Sequence, residues 1–339
     1  MLKIGPLTIA SSCILSPLAS VSDLPFRLIN RRLGCEVAFT EMVSARALIY
    51  ENKTTLNKML ATDPADRPLG IQLLGRDPEV IRTALDKARD YEFDIIDFNA
   101  ACPVTKVTEK GEGASLLKEP KKIGVLLKVV VNNTSAPVTV KIRSGWDAAS
   151  VNARDSALCA EDAGISALFI HGRTREQGYR GAVDYAVIRA VKESLRIPVI
   201  ASGDALSPRL IKRLFDETGC DGVAIARGAL GNPWIFKEAS AFLKDGTLLE
   251  RPNMDEIADI MIAHFNLIVD FHGEPMGTLI FRKFFSWYCK GIHGIRDLKT
   301  RAFGAKSRQQ MLEIINKVRE MHWDPGMPES AESRIRTGE

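Results

Sequence analysis

The stretch FNAACPVTKV, residues 98–107, sets a thiol directly before a proline just past the end of an apolar run. The run is Ile95-Ile96-Asp97-Phe98-Asn99, and Cys102 follows three residues after Asn99. A free cysteine has a pKa near ~8.5, so at neutral pH Cys102 keeps its proton and can deliver it to a developing carbanion. As a nucleophile it would instead need a base or a positive field to make the thiolate. The third reading is an inert core cysteine, and it suits the other five, Cys13, Cys35, Cys159, Cys220 and Cys289.

Other polar residues sit where apolar runs stop. Lys141 lies inside Val138-Thr139-Val140-Lys141-Ile142, and a lysine in such a place is rarely buried without a partner. An electron-rich ring carrying negative charge, such as the N1–C2 edge of a reduced flavin, would be one. Gln72 and Asn99 are amides able to donate and accept at the edge of a pyrimidine-like ring. Arg143 follows the Lys141 run, and His171-Gly172-Arg173 ends the next; a lone histidine such as His171 is more often structural. Glycines recur in the last two turns, Ser202-Gly203-Asp204 and Ala226-Arg227-Gly228. There a backbone N–H can approach an anion that a Cβ would obstruct, and Arg227 supplies charge, which predicts a phosphorylated ligand. No His, Cys, Asp or Glu spacing matches a metal site, and no nucleophile elbow or nucleotide P-loop is present.

Eight short apolar runs carry these residues: 13–18, 37–43, 69–74, 95–99, 138–142, 167–170, 199–201 and 222–226. Continuous runs of this length suit parallel strands buried on both faces. Helix-like stretches such as 78–91, 120–131 and 148–163 separate them. Eight alternations in about 230 residues predict a (β/α)₈ TIM barrel, an α/β fold, ahead of a doubly wound open sheet. Catalytic residues of such a barrel stand at the C-terminal ends of its strands.

From about Met254 the pattern becomes all helical, with Ile257, Ile260, Met261, His264, Phe265 and Ile268 as one stripe and Leu312, Ile315, Val318 and Met321 as another. The expected organisation is a catalytic barrel over 1–240, a linker over 241–252, a smaller basic helical domain over 253–323 and a loose tail over 324–339. Residues 282–319 hold ten Lys/Arg against two acids, a local +8 in a chain whose net charge is +4. Trp287, Tyr288 and His293 are interleaved, the mixture that phosphates and stacked bases require. Binding to RNA through this segment would weaken steeply with salt.

The 339 residues are 45% hydrophobic, too apolar for disorder. The six cysteines form no C-x-x-C pair and read as reduced and intracellular. The N-terminus lacks a sustained apolar signal region, and no run approaches a membrane span. A cytoplasmic protein is expected, with no membrane and no metal, acting as a monomer.

Together these stretches resemble the tRNA-dihydrouridine synthases, most closely the bacterial B-type branch. The matching segments are LSPLASVSDLPFR (15–27), GIQLLG (70–75), DFNAACPVTKV (97–107), GASLL (113–117), VKIRSGW (140–146), HGRTREQGYRG (171–181), ASGD (201–204), ARGALGNPW (226–234) and FRKFFSWYCKGIHG (281–294). The resemblance covers about residues 5–320. It implies reduction of the C5–C6 double bond of a uridine in tRNA, with FMN as carrier and NADPH as electron donor. It implies that Ser16, Pro17, Leu18, Gln72, Lys141, His171, Ser202, Gly203, Asp204, Ala226 and Arg227 hold FMN. Asn99, Arg143 and Arg173 would face the uracil, and Arg282, Lys283 and Lys290 the RNA. Cys102 would protonate C5 after hydride reaches C6, on a base flipped out of the RNA stack.

Two other classes fit parts of the pattern. A small-molecule FMN oxidoreductase, such as a dihydroorotate dehydrogenase or an ene-reductase, accounts for the barrel and phosphate site but not the basic segment. A non-catalytic RNA-binding flavoprotein accounts for the basic segment and makes Cys102 incidental. Among RNAs, ribosomal RNA stands beside tRNA as a candidate. Four stretches depart from the family pattern. Ser16-Pro17-Leu18 replaces Ala-Pro-Met, Ala101 and Ala226 replace glycines, and Ser202 replaces an asparagine. The two alanines are expected to crowd a loop or the cofactor, and Ser202 to lose an amide contact.

Overall fold

Strand residues alternate between two sides, and in a closed barrel those sides are the lumen and the helical jacket. The computed structural model describes residues 1–50 and 58–324. Its strands are β1 (Leu2–Ile4), β2 (Leu7–Ile9), β3 (Cys13–Leu15), β4 (Ala38–Ser44), β5 (Leu69–Leu74), β6 (Ile95–Asn99), β7 (Val138–Arg143), β8 (Ala167–His171), β9 (Val199–Ser202) and β10 (Gly222–Ile225). Strands β3 to β10 pair in parallel and close as β10-β3-β4-β5-β6-β7-β8-β9. All eight expected runs are therefore strands, and the fold is the expected (β/α)₈ barrel.

The lumen is layered. Its lower part is apolar, with Ile14, Val37, Phe39, Ile95, Ala167, Phe169, Ile200 and Ala224 in one buried cluster. Phe39 and Phe169 meet edge to face at 5.5 Å. Phe39 needs Gly70 opposite it, because a Cβ there would lie 2.3 Å from the ring. An antiparallel hairpin, β1 with β2, joins this cluster and closes the N-terminal mouth. The sequence reading does not contain this hairpin. Further up, the same alternation turns Asp97 and Thr139 inward and, at or near the C-terminal strand ends, Ser16, Gln72, Asn99, Lys141, Arg143, His171 and Ser202.

The helix Ile235–Asp245 runs through the first part of the expected linker and stops at Gly246, whose φ is +81°. Irregular chain then leads to Asn253. Asn253 and Glu256 form a capping box that starts the helix Met254–His272. Helices Glu274–Tyr288, Arg296–Gly304 and Arg308–Asn316 complete the C-terminal helical region. It packs on the barrel helix Leu24–Arg32, where Phe26 stacks on Phe284 at 5.8 Å. Of the expected tail, all but Asp324 lies outside the described residues.

The basic segment is less free than its composition suggests. The helix Met254–His272 brings acids against it: Arg319 pairs with Asp255 and Asp259, and Arg308 with Asp270. Over 253–323 there are ten basic and eight acidic residues, so ten minus eight leaves +2 in place of the +8 of the narrower window.

Candidate active site

At the C-terminal end of the barrel lies a cleft of about 1040 Å³, part of it open to solvent. All eleven residues expected to hold the cofactor line it, and so do Cys102, Asn99 and Arg143. Arg173, Arg282, Lys283 and Lys290 are not among its lining residues.

Cys102 is held by its loop. Asn99 Oδ1 accepts from the backbone N–H groups of Ala101 at 3.0 Å and Cys102 at 2.9 Å. Arg143 Nε donates to the Ala101 carbonyl at 2.7 Å, and Ala114 N–H to the Cys102 carbonyl at 3.0 Å. Gly113 permits that approach: its φ is +59°, and a Cβ would lie 2.9 Å from the Cys102 carbonyl oxygen. Burial pushes the half-buried Cys102 thiol up, while the Val104 N–H and Arg143 pull weakly the other way. The thiol therefore stays protonated at neutral pH, as an acid must.

Lys141 stands across the lumen side of the same cleft. Its Nζ has a hydrogen bond to Ser16 Oγ at 3.4 Å and, among the described residues, no ion pair. Burial pushes its ammonium down to about 8, against the pull of Asp97. A cation under this desolvation is suited to an anionic ligand edge. His171 is driven well below its ordinary range, first by burial and then by Arg143, Lys141, Arg173 and Arg227, so it is a neutral imidazole at working pH.

The glycine turns make the other end of the cleft. At Gly203, φ is +119° and a Cβ would lie 2.7 Å from Val183 and 3.1 Å from His171. Asp204, at φ +51°, is clamped by Arg173 at 2.5 Å and Arg227 at 2.8 Å. Two guanidiniums on one carboxylate leave this end with net positive charge. The tight glycine turn, this charge and the Lys141 ammonium fit a flavin phosphate at one end and an electron-rich ring edge at the other.

Several expected contacts take a different form. Arg173 is buried, donating to Asp204 and the Gly181 carbonyl, so it braces the turn and does not face the cleft. Arg143 lines the cleft yet directs hydrogen bonds to the Ala101, Thr174 and Gly178 carbonyls. Arg282 donates to the Ala305 carbonyl within the helical region. Lys283 reaches the Ser20 carbonyl on the rim loop that follows Leu18. Lys290 is exposed on the helical region.

Backbone conformation demands no glycine at the two alanine departures. Ala226 has φ −117°, which needs no glycine, and Ala101 is absent from the positive-φ residues. Ser202 Oγ donates to the Ile170 carbonyl at 3.1 Å and stays with the barrel backbone.

Sequence reasoning missed two residues at the site. Asp97 accepts from Gln72 Nε2 and from Thr139 Oγ1, each at 2.6 Å. Its place two residues before Asn99 in the strand alternation was the available signal. Tyr179, inside HGRTREQGYRG, is 59% exposed at the cleft mouth, with the Arg143 and Arg227 guanidiniums 5.6 and 5.3 Å from its ring. Among the described residues no cluster of three or more His, Cys, Asp or Glu could hold a metal, and no helix is long and apolar enough to cross a membrane.

Comparison with known proteins agrees with this geometry. The chain is 39% identical to tRNA-dihydrouridine synthase B of Xanthomonas campestris pv. campestris over 313 residues, 92% of this chain and 94% of that one. It is 37% identical to the Pseudomonas aeruginosa protein of the same name, over 88% and 90% of the two chains. In fold alone it matches the 6-hydroxypseudooxynicotine amine oxidase structure from Pseudomonas geniculata N1, with a TM-score of 0.53 at 16% identity over 72% of this chain and 49% of that chain. The dihydrouridine synthase profile matches residues 14–321, nearly the whole barrel and helical region, and the chain belongs to that family.

Proposed function

We propose that the chain reduces a uridine of tRNA to 5,6-dihydrouridine, using FMN held in the barrel cleft and NADPH as the electron donor. The observation that carries the reading is the convergence on one cleft of a protonated thiol, Cys102, with Lys141 and the Gly203–Asp204 turn.

Bound FMN supplies the hydride that C6 receives. The chain's own residues do the rest. Cys102 gives its proton to C5, so hydride plus proton account for the two hydrogens gained. The Asn99 cap and Arg143 hold the Cys102 loop while this happens. Lys141 meets the electron-rich edge of the ring system, and its depressed pKa reflects the dry surroundings that strengthen such a contact. The Ser202–Asp204 and Ala226–Arg227 turns take the phosphate. The uridine leaves the stack to reach the cleft, because C5 and C6 are inaccessible inside folded RNA. The six unpaired thiols suit a reducing cytoplasm, and the protein is proposed to act there as a monomer.

Mass spectrometry of unmodified tRNA incubated with the protein, FMN and NADPH tests the reading. A gain of two hydrogens at a mapped uridine is expected. No gain, from a flavin-loaded protein that still oxidises NADPH, would reject tRNA as the substrate.

A further inference from the structure

A chain of buried hydrogen bonds runs across three strands to the Cys102 loop. Thr139 Oγ1 donates to Asp97 Oδ1 at 2.6 Å. Gln72 Nε2 donates to Asp97 Oδ2 at 2.6 Å, and Asn99 Nδ2 donates to Gln72 Oε1 at 2.7 Å. Asn99 Oδ1 then accepts from the Ala101 and Cys102 N–H groups. Asp97, Gln72, Asn99 and Thr139 are all buried.

The direction of this chain is forced from both ends. A carboxylate only accepts and a backbone N–H only donates. Between them stand two amides, each of which could point either way. With Asp97 ionised at one end and two N–H groups at the other, a single orientation of Gln72 and Asn99 satisfies every contact. Flipping either amide sets donor against donor or acceptor against acceptor. An apolar residue at 97 would leave Gln72 Nε2 buried without its acceptor, so Gln72 would no longer be held against Asn99 Nδ2 and the Asn99 cap on the loop would lose its support.

We infer that Asp97 is a positioning residue for Cys102: without lining the cleft, it orients the Gln72 and Asn99 amides and so fixes the loop that holds the thiol. Its value to catalysis rests on Cys102 being the proton donor; the relay itself does not. A carboxylate at this place is costly to bury, and burial raises Asp97 to about 6 despite its two hydrogen bonds and nearby Lys141. Such a group in an otherwise apolar strand calls for a positional role.

The test compares Asp97→Val with Asp97→Asn in the flavin-loaded full chain. Asparagine can still accept from Gln72 Nε2 while its own amide N–H donates to Thr139 Oγ1; valine can do neither. The rate of Cys102 alkylation by iodoacetamide is followed by peptide mass spectrometry, without RNA or NADPH. Asp97→Val should react about tenfold faster, the equivalent of losing about one hydrogen bond from the loop. Asp97→Asn should stay within about threefold of the parent. In turnover, Asp97→Val should lower kcat with KM for tRNA unchanged. Parental alkylation in Asp97→Val, or equal acceleration in both variants, would overturn the relay. If Asp97→Val does not fold, Gln72→Met cuts the chain one step later and should accelerate alkylation similarly; a parental rate there also overturns it. Should Cys102→Ala keep full turnover, the proton-donor reading fails, while the alkylation result still decides the relay.

Discussion

The cleft and the helical region both contain many cations, and the two use them differently. In the cleft, Lys141 has no ion pair among the described residues and Arg227 shares one carboxylate with Arg173. In the helical region, Arg319 holds two carboxylates, Arg308 pairs with Asp270, and Arg282 is turned to a backbone carbonyl. Charge counted along a sequence becomes a binding surface only where the fold leaves it without a counter-charge. The cleft keeps that potential in desolvated form; in the helical region Arg319, Arg308 and Arg282 are already engaged within the protein.

The sharpest way to break this contrast is at the thiol. Cys102→Ala should lower turnover by about 10²–10⁴-fold, the range for losing a general acid, with RNA and flavin binding retained. Rapid-quench assay of dihydrouridine formation would read it, and turnover near the parent would refute the assignment. Next, Lys141→Met should weaken flavin binding by about 10–100-fold, as loss of a desolvated charge contact does. Fluorescence titration of the apoprotein checks this, and an unchanged Kd would show that the ammonium serves the barrel alone.

A third prediction concerns Asp97 and stability. Its folded pKa of about 6 lies above the unfolded carboxylate value, so the folded state favours the protonated form. The associated stability is present below the unfolded pKa and is lost as pH rises through 6. At pH 8 the buried charge costs about 3 kcal/mol, from a shift of about two pH units. Asp97→Asn should therefore raise stability by about 1–3 kcal/mol at pH 8 and progressively less below pH 6. Urea unfolding at pH 8 and pH 5 measures both, and a destabilised variant at pH 8 would contradict the cause assigned. The smallest effect expected is in salt dependence. Arg296 and Lys306 are exposed. Replacing either with alanine should cut the slope of log affinity for tRNA against log salt by about 1. Arg319→Ala, at a residue already paired twice, should leave that slope unchanged; a reduction would move Arg319 to the RNA surface.

How much of this could be read from the sequence follows the range of each interaction. The eight strands were legible because a buried parallel strand writes its burial as a local run of apolar residues, as in 69–74 and 138–142. The cleft lining was legible because barrel sites fall where such runs end, which brought out Gln72, Cys102, Lys141 and His171. The hairpin was missed because strands of three residues carry almost no periodicity. The helix Ile235–Asp245 overran the expected linker because Asp245-Gly246 marks its end, not the start of a loop. The hydrogen bonds of Arg173 and Arg143 were not legible, because Asp204 and the Ala101 carbonyl lie 31 and 42 residues away. The charge of the basic segment was overcounted for the same reason: Asp255 and Asp259 lie 64 and 60 residues from Arg319.

The hairpin at the barrel floor also fixes which way the molecule can be handled. Leu2 and Ile4 are buried in the lower lumen cluster, while Met1 is 91% exposed. The chain therefore emerges on the face opposite the cleft. A tag or tether joined ahead of Met1 leaves the cleft turned to solution, whereas trimming the first ten residues would unseat the plug beneath Phe39 and Phe169.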